Sequence, residues 1–93
     1  MLRKVQPRGD RVVIRVEDPA SMTKNGIIIP DSAKESQPAA GYITEVGPLV
    51  PEGDLKVGDL VLFSKYAGDD VEINGLPFKI MHEESVLGVL VDA

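Results

Sequence analysis

The residues best suited to chemistry in this 93-residue chain are two adjacent carboxylate pairs and one histidine. The pairs are Asp69-Asp70 and Glu83-Glu84, and His82 directly precedes the second pair. Such groups could transfer protons or bind a divalent cation. Neighbouring residues of a strand point to opposite faces of a sheet, however, so neither pair is placed to share one substrate or ion. We therefore predict a solvated acidic rim, with His82 as a surface residue rather than a general base.

Other kinds of chemical site lack the residues that they require. The sequence has no cysteine and a single histidine, so it offers neither a thiolate ligand nor a cluster for zinc. The stretch GDDVEING has neither the spacing nor the lysine of a phosphate-binding loop. We therefore predict a protein that is not an enzyme and that binds no cofactor or metal itself.

Charge and composition argue against two classes of partner. The net charge is −5 and only 4% of the residues are aromatic, which disfavours binding to phosphates or stacking on bases. No apolar run approaches the ~20 residues of a membrane-spanning helix. The opening MLRKVQPRGD has a basic pair but lacks the apolar region of a signal peptide. We predict a cytoplasmic protein that binds neither nucleic acid nor membrane.

Short strands between glycine and proline turns dominate the rest of the chain. In DRVVIRVE, the alternation places Val12, Ile14 and Val16 on one face of a strand. Asn74-Gly75 is a strong hairpin turn between DVEI and PFKIMHE. Two further strands are predicted over GYITEVG and DLVLFSK. Regular short strands without a helical pattern predict an all-β fold, either a small antiparallel barrel or a sandwich.

The terminal run SVLGVLV is apolar at nearly every position from Val86 to Val91. A strand that is apolar on both faces must be covered on both faces. The second cover could be another subunit, or the strand could pass through the middle of a compact barrel. A domain of this size has a small core and, here, no disulfide or metal, so oligomerisation is the remaining source of added stability.

The segment 18–40 is long, polar and interrupted by one apolar island, Ile27–Ile29. A loop of that length in a small domain is usually functional or disordered. The island could form an ordinary hairpin around Asn25-Gly26, although Pro30 stops that strand after three residues. Alternatively, it could present its isoleucines to a groove on another protein. A single such loop would bind weakly, whereas several on one symmetric ring would bind firmly.

Five motifs follow one another along nearly the whole chain: P-x-x-DRVVI, NGIIIPDSAKE, G-x-I-x-x-VG, LKVGDLVLFSKYAG and IMHEESVLGVL. Their order resembles the ten-kilodalton co-chaperonin, or GroES-like, family. The combination of KVGDLVLFSKYAG with the upstream loop motif is specific, whereas either motif alone would be weak.

The resemblance implies one β-barrel domain over residues 1–93, assembled as a heptameric ring that caps a GroEL-like chaperonin. The mobile loop would span about residues 18–40, with Gly26, Ile27, Ile28 and Ile29 in contact with the apical domains of the chaperonin. The partner would bind ATP, and unfolded substrate proteins would be enclosed in the complex.

The resemblance also implies how the ring is sealed. The N-terminal segment of one subunit would pair with the terminal strand of its neighbour. The implied interface residues are Leu2, Arg3, Lys4, Val5, Val86, Leu87, Val89, Leu90 and Val91.

One departure from the family pattern concerns the roof of the ring. Only PLVPEGDL separates Gly47 from Lys56, where the family usually has a longer hairpin. We therefore expect a shortened roof over about residues 47–56.

A small β-barrel of this kind has two rival functions besides that of a co-chaperonin. A dehydrogenase fragment of similar barrel fold would require zinc ligands and a dinucleotide domain, which this sequence lacks. An oligomeric β-barrel that binds peptides at a sheet edge, without a chaperonin, stays open as the alternative.

Overall fold

The computed structural model describes residues 3–17 and 38–91, and these form one antiparallel sheet of six strands. Along the sheet the order is β4-β5-β1-β2-β3-β6. The strands are β1 (Arg11–Val16), β2 (Pro38–Val46), β3 (Leu60–Ser64), β4 (Asp69–Ile73), β5 (Leu76–His82) and β6 (Val86–Val89). A single 3-10 turn, Glu83–Ser85, joins β5 to β6, and the described residues contain no α-helix. The all-β prediction is confirmed.

One face of the sheet surrounds the hydrophobic core. The buried cluster consists of Val12, Ile14, Ile43, Leu55, Val61, Phe63 and Met81. These side chains come from four neighbouring strands and one turn, so the sheet must curl to bury them together, as in a small barrel. The alternation predicted for β1 is confirmed, because Val12 and Ile14 lie in this cluster and Val16 packs against it. Strands β4 and β6 remain as the two edges of the sheet.

The pairing of β1 with β2 contains an irregularity that the alternation of apolar residues does not reveal. Val13 pairs with Glu45, but the next residue, Ile14, pairs with Ile43. Thr44 is therefore an extra residue on β2, which is the arrangement of a β-bulge. Such a bulge bends its strand and increases the local twist, as a curled sheet requires.

The predicted hairpin between β4 and β5 is confirmed. Ile73 pairs with Leu76, so the connection consists of Asn74 and Gly75 alone. Their φ angles are 53° and 81°, and a type I′ turn requires positive φ at both positions. Asparagine and glycine are the residues that adopt this conformation most readily.

Three boundaries differ from those that the sequence predicts. Strand β2 begins at Pro38 rather than Gly41, because the small residues at 38–40 pair with β3 although they carry no β-branched side chain. Strand β6 ends at Val89, within the apolar run. Glu83 and Glu84 lie in the 3-10 turn, so the argument from strand alternation was wrong for that pair.

The connection between β2 and β3 consists of turns. Within it, the Leu49 N–H donates to the Gly9 carbonyl and the Asp54 N–H to the Pro51 carbonyl. Leu55 is the buried residue of this segment and belongs to the core cluster. The part of the structure between β2 and β3 therefore contains no hairpin, and one leucine anchors it to the core.

Candidate functional site

Strands β1 and β2 hold the two ends of the long segment that carries the isoleucine island. Val16 pairs with Gly41, and the Glu17 N–H donates to the Ala40 carbonyl at 3.0 Å. The segment between Glu17 and Pro38 therefore connects adjacent antiparallel strands at one end of the sheet. The predicted chaperonin-binding residues, Gly26, Ile27, Ile28 and Ile29, lie outside the described residues, and their role stays a prediction.

Gly41 allows a close backbone approach at the base of this segment. A Cβ atom added there would lie 2.4 Å from the Arg15 carbonyl oxygen and 2.6 Å from Cγ2 of Ile14. The first of these atoms is backbone and cannot move without separating β1 from β2. Glycine at this position therefore allows β1 and β2, the two strands at the ends of the segment, to pair closely.

The opposite end of the sheet carries the predicted acidic rim and the single histidine. Asp10 Oδ1 lies 2.6 Å from His82 Nδ1, and the Asp10 carbonyl accepts a hydrogen bond from the Glu83 N–H at 2.8 Å. The hydrogen bond from His82 holds the pKa of the Asp10 carboxyl below its ordinary value, and the charges of His82 and Arg11 act in the same direction. His82 is about half exposed, and its contact with Asp10 links the end of β5 to the residue that precedes β1.

Glu83 lies close to other carboxyl groups in the same region. Its hydrogen bond with Asp54 raises the pKa of the Glu83 carboxyl, and the negative charges of Asp54, Asp10 and Glu84 add to the effect. In the described parts of the chain, residues 3–17 and 38–91, no group of three acidic or histidine side chains is arranged to hold a metal ion. These groups therefore form an acidic rim, in which the contact between Glu83 and Asp54 is repulsive at neutral pH.

Replacing Glu83 with glutamine should stabilise the protein at neutral pH. A carboxyl whose pKa is raised by folding contributes stability at low pH that is lost as the pH rises through the folded pKa. The melting temperature of Glu83→Gln should therefore exceed that of the parent increasingly as the pH rises above 4.5, the ordinary value for this group. Thermal melts at several pH values test this, with Glu72→Gln as the control, because Glu72 is exposed and is not among the groups that act on Glu83. A difference that does not change with pH would contradict the assignment.

The predicted interface residues at the C-terminal end lie on an open edge of the sheet. Strand β6 pairs with β3 on one side and has no partner strand on its other side in the described structure. Leu87 is 66% exposed and Val91 is 82% exposed, while Val86 packs against the core. Val89 is 36% exposed, and the Leu90 N–H donates to the Leu60 carbonyl. An open apolar edge of this kind favours pairing with another chain.

The predicted interface residues at the N-terminal end lie elsewhere on the same chain. The structure places Arg3, Lys4 and Val5 beside β1, β2 and the β4–β5 hairpin, and Leu2 lies outside the described residues. Lys4 Nζ lies 3.5 Å from Glu45 Oε1. One chain therefore does not bring its two predicted interface segments together, since β3 lies between β2 and β6.

Two polar residues of the β4–β5 hairpin were missed by the sequence argument. Lys79 is buried, and its Nζ lies 3.0 Å from Asp70 Oδ1 and donates to the Ala67 carbonyl at 2.9 Å. It therefore anchors the turn that precedes β4. Asn74 was expected only as a turn residue, but its side chain also binds the backbone of Arg3. No sequence pattern indicated either contact, because both depend on which segments the fold brings together.

Comparison with known proteins places these features in a family. The family described as "Chaperonin 10 Kd subunit" matches residues 4–90, which include all six strands and, of the predicted interface, Lys4, Val5 and the residues from Val86 to Leu90. The chain belongs to the chaperonin 10 family.

Named relatives of this chaperonin 10 chain are similar over nearly its whole length. A "Co-chaperonin GroES" of Syntrophotalea carbinolica is 43% identical, over 92% of this chain and 97% of the relative. One of Clostridium kluyveri is 44% identical, over 94% of this chain and 98% of the relative. One of Aquifex aeolicus is 45% identical, over 96% of this chain and 79% of the relative. Among its described residues the chaperonin 10 chain has no helix that could cross a membrane.

Proposed function

We propose that this protein is a co-chaperonin, a ring-shaped lid that binds an ATP-driven, GroEL-like chaperonin and encloses substrate proteins for folding. The observation that carries the proposal is the chaperonin 10 match over residues 4–90. Relatives named co-chaperonin, which align with this chain over almost their full length, support it. The arrangement of β1 and β2 supports it, because the residues at both ends of the island-bearing segment lie on adjacent, paired strands.

The binding element is the segment that contains Gly26 and Ile27–Ile29. Its isoleucines insert into an apolar groove on the apical domains of the chaperonin. Burying them gives roughly 5–8 kcal/mol, whereas ordering eight to ten residues costs on the order of 10 kcal/mol, offset in part by new hydrogen bonds. One segment therefore binds weakly and reversibly, and a ring of segments binds firmly through effective concentration.

In the proposed ring, two different surfaces of each subunit contact its two neighbours. The N-terminal residues 2–5 of one subunit pair with the β6 edge, Val86–Val91, of the next. An interface between unlike surfaces is heterologous, and it closes into a ring when the rotation between subunits allows. Seven subunits complete the ring that we propose, by analogy with the family.

The protein itself carries out no covalent chemistry in this scheme. It acts in the cytoplasm, and the chaperonin binds and hydrolyses the ATP. The contact between His82 and Asp10 accords with a structural role for the acidic rim.

Replacing Leu87 with aspartate should dissociate the ring without unfolding the subunit. Leu87 is 66% exposed on the edge strand, so the charge costs little in the subunit but is buried in the assembly. We expect self-association at least about tenfold weaker, equivalent to ~1.4 kcal/mol per interface. Sedimentation equilibrium measures the change.

The matched control for this variant is Leu49→Asp. Leu49 is 72% exposed and lies in the β2–β3 connection, away from the proposed interface. The same substitution there should leave self-association unchanged. Equal effects of the two variants would contradict the assignment of β6 to the interface.

The function is tested by refolding a denatured substrate enzyme that requires an enclosed chamber. A bacterial-type chaperonin with ATP should give little active enzyme alone and a several-fold higher yield when this protein is added. An unchanged yield with an assembled ring would contradict the lid function.

The alternative function is a β-barrel module that binds peptides at its sheet edge, and the open β6 edge is the observation that favours it. Such a module would bind unfolded peptides directly and without nucleotide. Peptide binding in the absence of a chaperonin, together with no effect on refolding, would favour this alternative.

A further inference from the structure

The N-terminal arm, residues 3–6, lies over the sheet but makes little regular pairing with it. Within the described parts of the chain, residues 3–7 form no backbone-to-backbone hydrogen bond. A groove of about 130 Å³ lies beside the arm and is lined by apolar side chains that include Val13, Ile73 and Phe78. Apolar packing therefore does not fix the position of the arm completely, and polar contacts contribute to it.

Asn74 makes the contact that most resembles strand pairing. Its Nδ2 donates to the Arg3 carbonyl at 2.9 Å, and its Oδ1 accepts from the Arg3 N–H at 3.4 Å. A residue in a hydrogen-bonded pair of an antiparallel ladder exchanges the same two bonds with its partner. The carboxamide of Asn74 thus takes the place of a partner residue on one side of the arm.

The other arm contacts are made by side chains of the arm itself. Gln6 Nε2 donates to the Val46 carbonyl at 3.1 Å, and Lys4 Nζ lies 3.5 Å from Glu45 Oε1. Both contacts join flexible side chains to β2 and leave the arm backbone free to shift. Among the side chains of residues 8–17 and 38–91, Asn74 alone forms hydrogen bonds to the arm backbone, and it is held at the tip of a two-residue turn with φ of 53°.

The bonds to Arg3 also determine which backbone groups face outwards. In an extended chain, the N–H and C=O groups of consecutive residues point to opposite edges. An extended arm in which Asn74 occupies both groups of Arg3 would direct the N–H and C=O of Lys4 away from the hairpin, towards another strand.

We propose that Asn74 is a positioning residue for subunit assembly, which fixes the register in which the arm pairs with β6 of a neighbouring copy. The proposal rests on the ring arrangement proposed above. It assigns Lys4, rather than Arg3, as the arm residue whose N–H and C=O pair with the neighbouring strand. It also makes the hairpin tip, which lies outside the interface segments predicted from the sequence, part of the assembly machinery.

Two variants at Asn74 separate its hydrogen bonds to the Arg3 backbone from its role in the two-residue turn. Asn74→Gly keeps a residue that accepts positive φ but removes the carboxamide. Asn74→Asp keeps the turn and the acceptor for the Arg3 N–H, but it places a carboxylate oxygen against the Arg3 carbonyl. Both should weaken self-association about tenfold in sedimentation equilibrium while leaving the urea midpoint of the dissociated subunit nearly unchanged. Glu72→Gln, an exposed change on the same hairpin, is the control and should assemble as the parent does.

Amide hydrogen exchange gives a readout that a merely structural role would not move. In the dissociated Leu87→Asp subunit, the Arg3 amide should be protected and the Lys4 amide should exchange freely. In the assembled parent both should be protected, and Asn74→Gly should remove the protection of Arg3 from the dissociated subunit. Free exchange at Arg3 in that subunit, or parent-like assembly of both Asn74 variants, would overturn the proposal. A parent protein that stays monomeric would instead overturn the ring on which it rests.

Discussion

An Ile28→Asp variant should lose detectable binding to a bacterial-type chaperonin while keeping its fold. Removing one buried isoleucine forfeits about 1.5–3 kcal/mol, and placing an unpaired carboxylate in an apolar groove costs several kcal/mol more. The affinity of each segment should therefore fall by more than about a hundredfold. Since every subunit carries the change, the loss is multiplied across the ring. A fluorescence titration of labelled protein against chaperonin and ATP measures it.

Two further variants make this result specific. Ser32→Asp introduces the same charge in the same segment but outside the island, and it should bind nearly as well as the parent. Ile28→Leu conserves volume and should bind within about tenfold of the parent, because such swaps usually cost less than ~1.5 kcal/mol. Retained binding by Ile28→Asp, or equal loss in Ser32→Asp, would show that the island is not the contact.

A large loss of stability is expected from Gly41→Ala. The added methyl group would meet the Arg15 carbonyl oxygen at 2.4 Å and Ile14 Cγ2 at 2.6 Å, between two strands that form the core. Overpacking of this kind typically costs about 1–3 kcal/mol, and the backbone contact places this site at the upper end. Urea denaturation should show a loss of about 3 kcal/mol. Because Gly41 lies at the base of the island-bearing segment, chaperonin binding should also weaken.

Gly88→Ala is the matched control for this variant, and both are measured in the dissociated Leu87→Asp subunit, because Gly88 lies in the β6 edge proposed as the interface. Gly88 also lies in a strand, but a Cβ atom there would meet nothing within 4 Å. Alanine should be neutral or slightly stabilising at such a position, because it reduces the conformational freedom of the unfolded chain. If the two alanine variants unfolded at the same urea concentration, the close approach of β1 to Gly41 would not be significant.

Much of the fold could be predicted from local patterns. Alternation in β1 and the Asn74-Gly75 turn depend on neighbouring residues only, and both are confirmed. The bulge at Thr44 and the start of β2 at Pro38 depend instead on pairing across the sheet. Residues that are distant in the sequence decide such features, so no local pattern of residue types reveals them.

The candidate site divides in the same way. The island Ile27–Ile29 is visible in the sequence because three consecutive isoleucines are unusual in a polar segment, and its role stays a prediction. The apolar run from Val86 to Val91 predicted a strand covered on both faces, by another subunit or within the barrel, and the structure places β6 at an edge of the described sheet. The contact of Asn74 with Arg3 joins residues 71 positions apart, and the buried Lys79 is held by a turn twelve residues away. Both required the structure.

The measurement that tests the central claim most directly is co-sedimentation of the parent protein with a bacterial-type chaperonin, with and without ATP. The account predicts that the protein enters the pellet as a ring when ATP is present and stays in the supernatant when nucleotide is omitted. A ring that stays in the supernatant under both conditions, or that pellets equally without nucleotide, would contradict the proposal that it is the lid of an ATP-driven chaperonin.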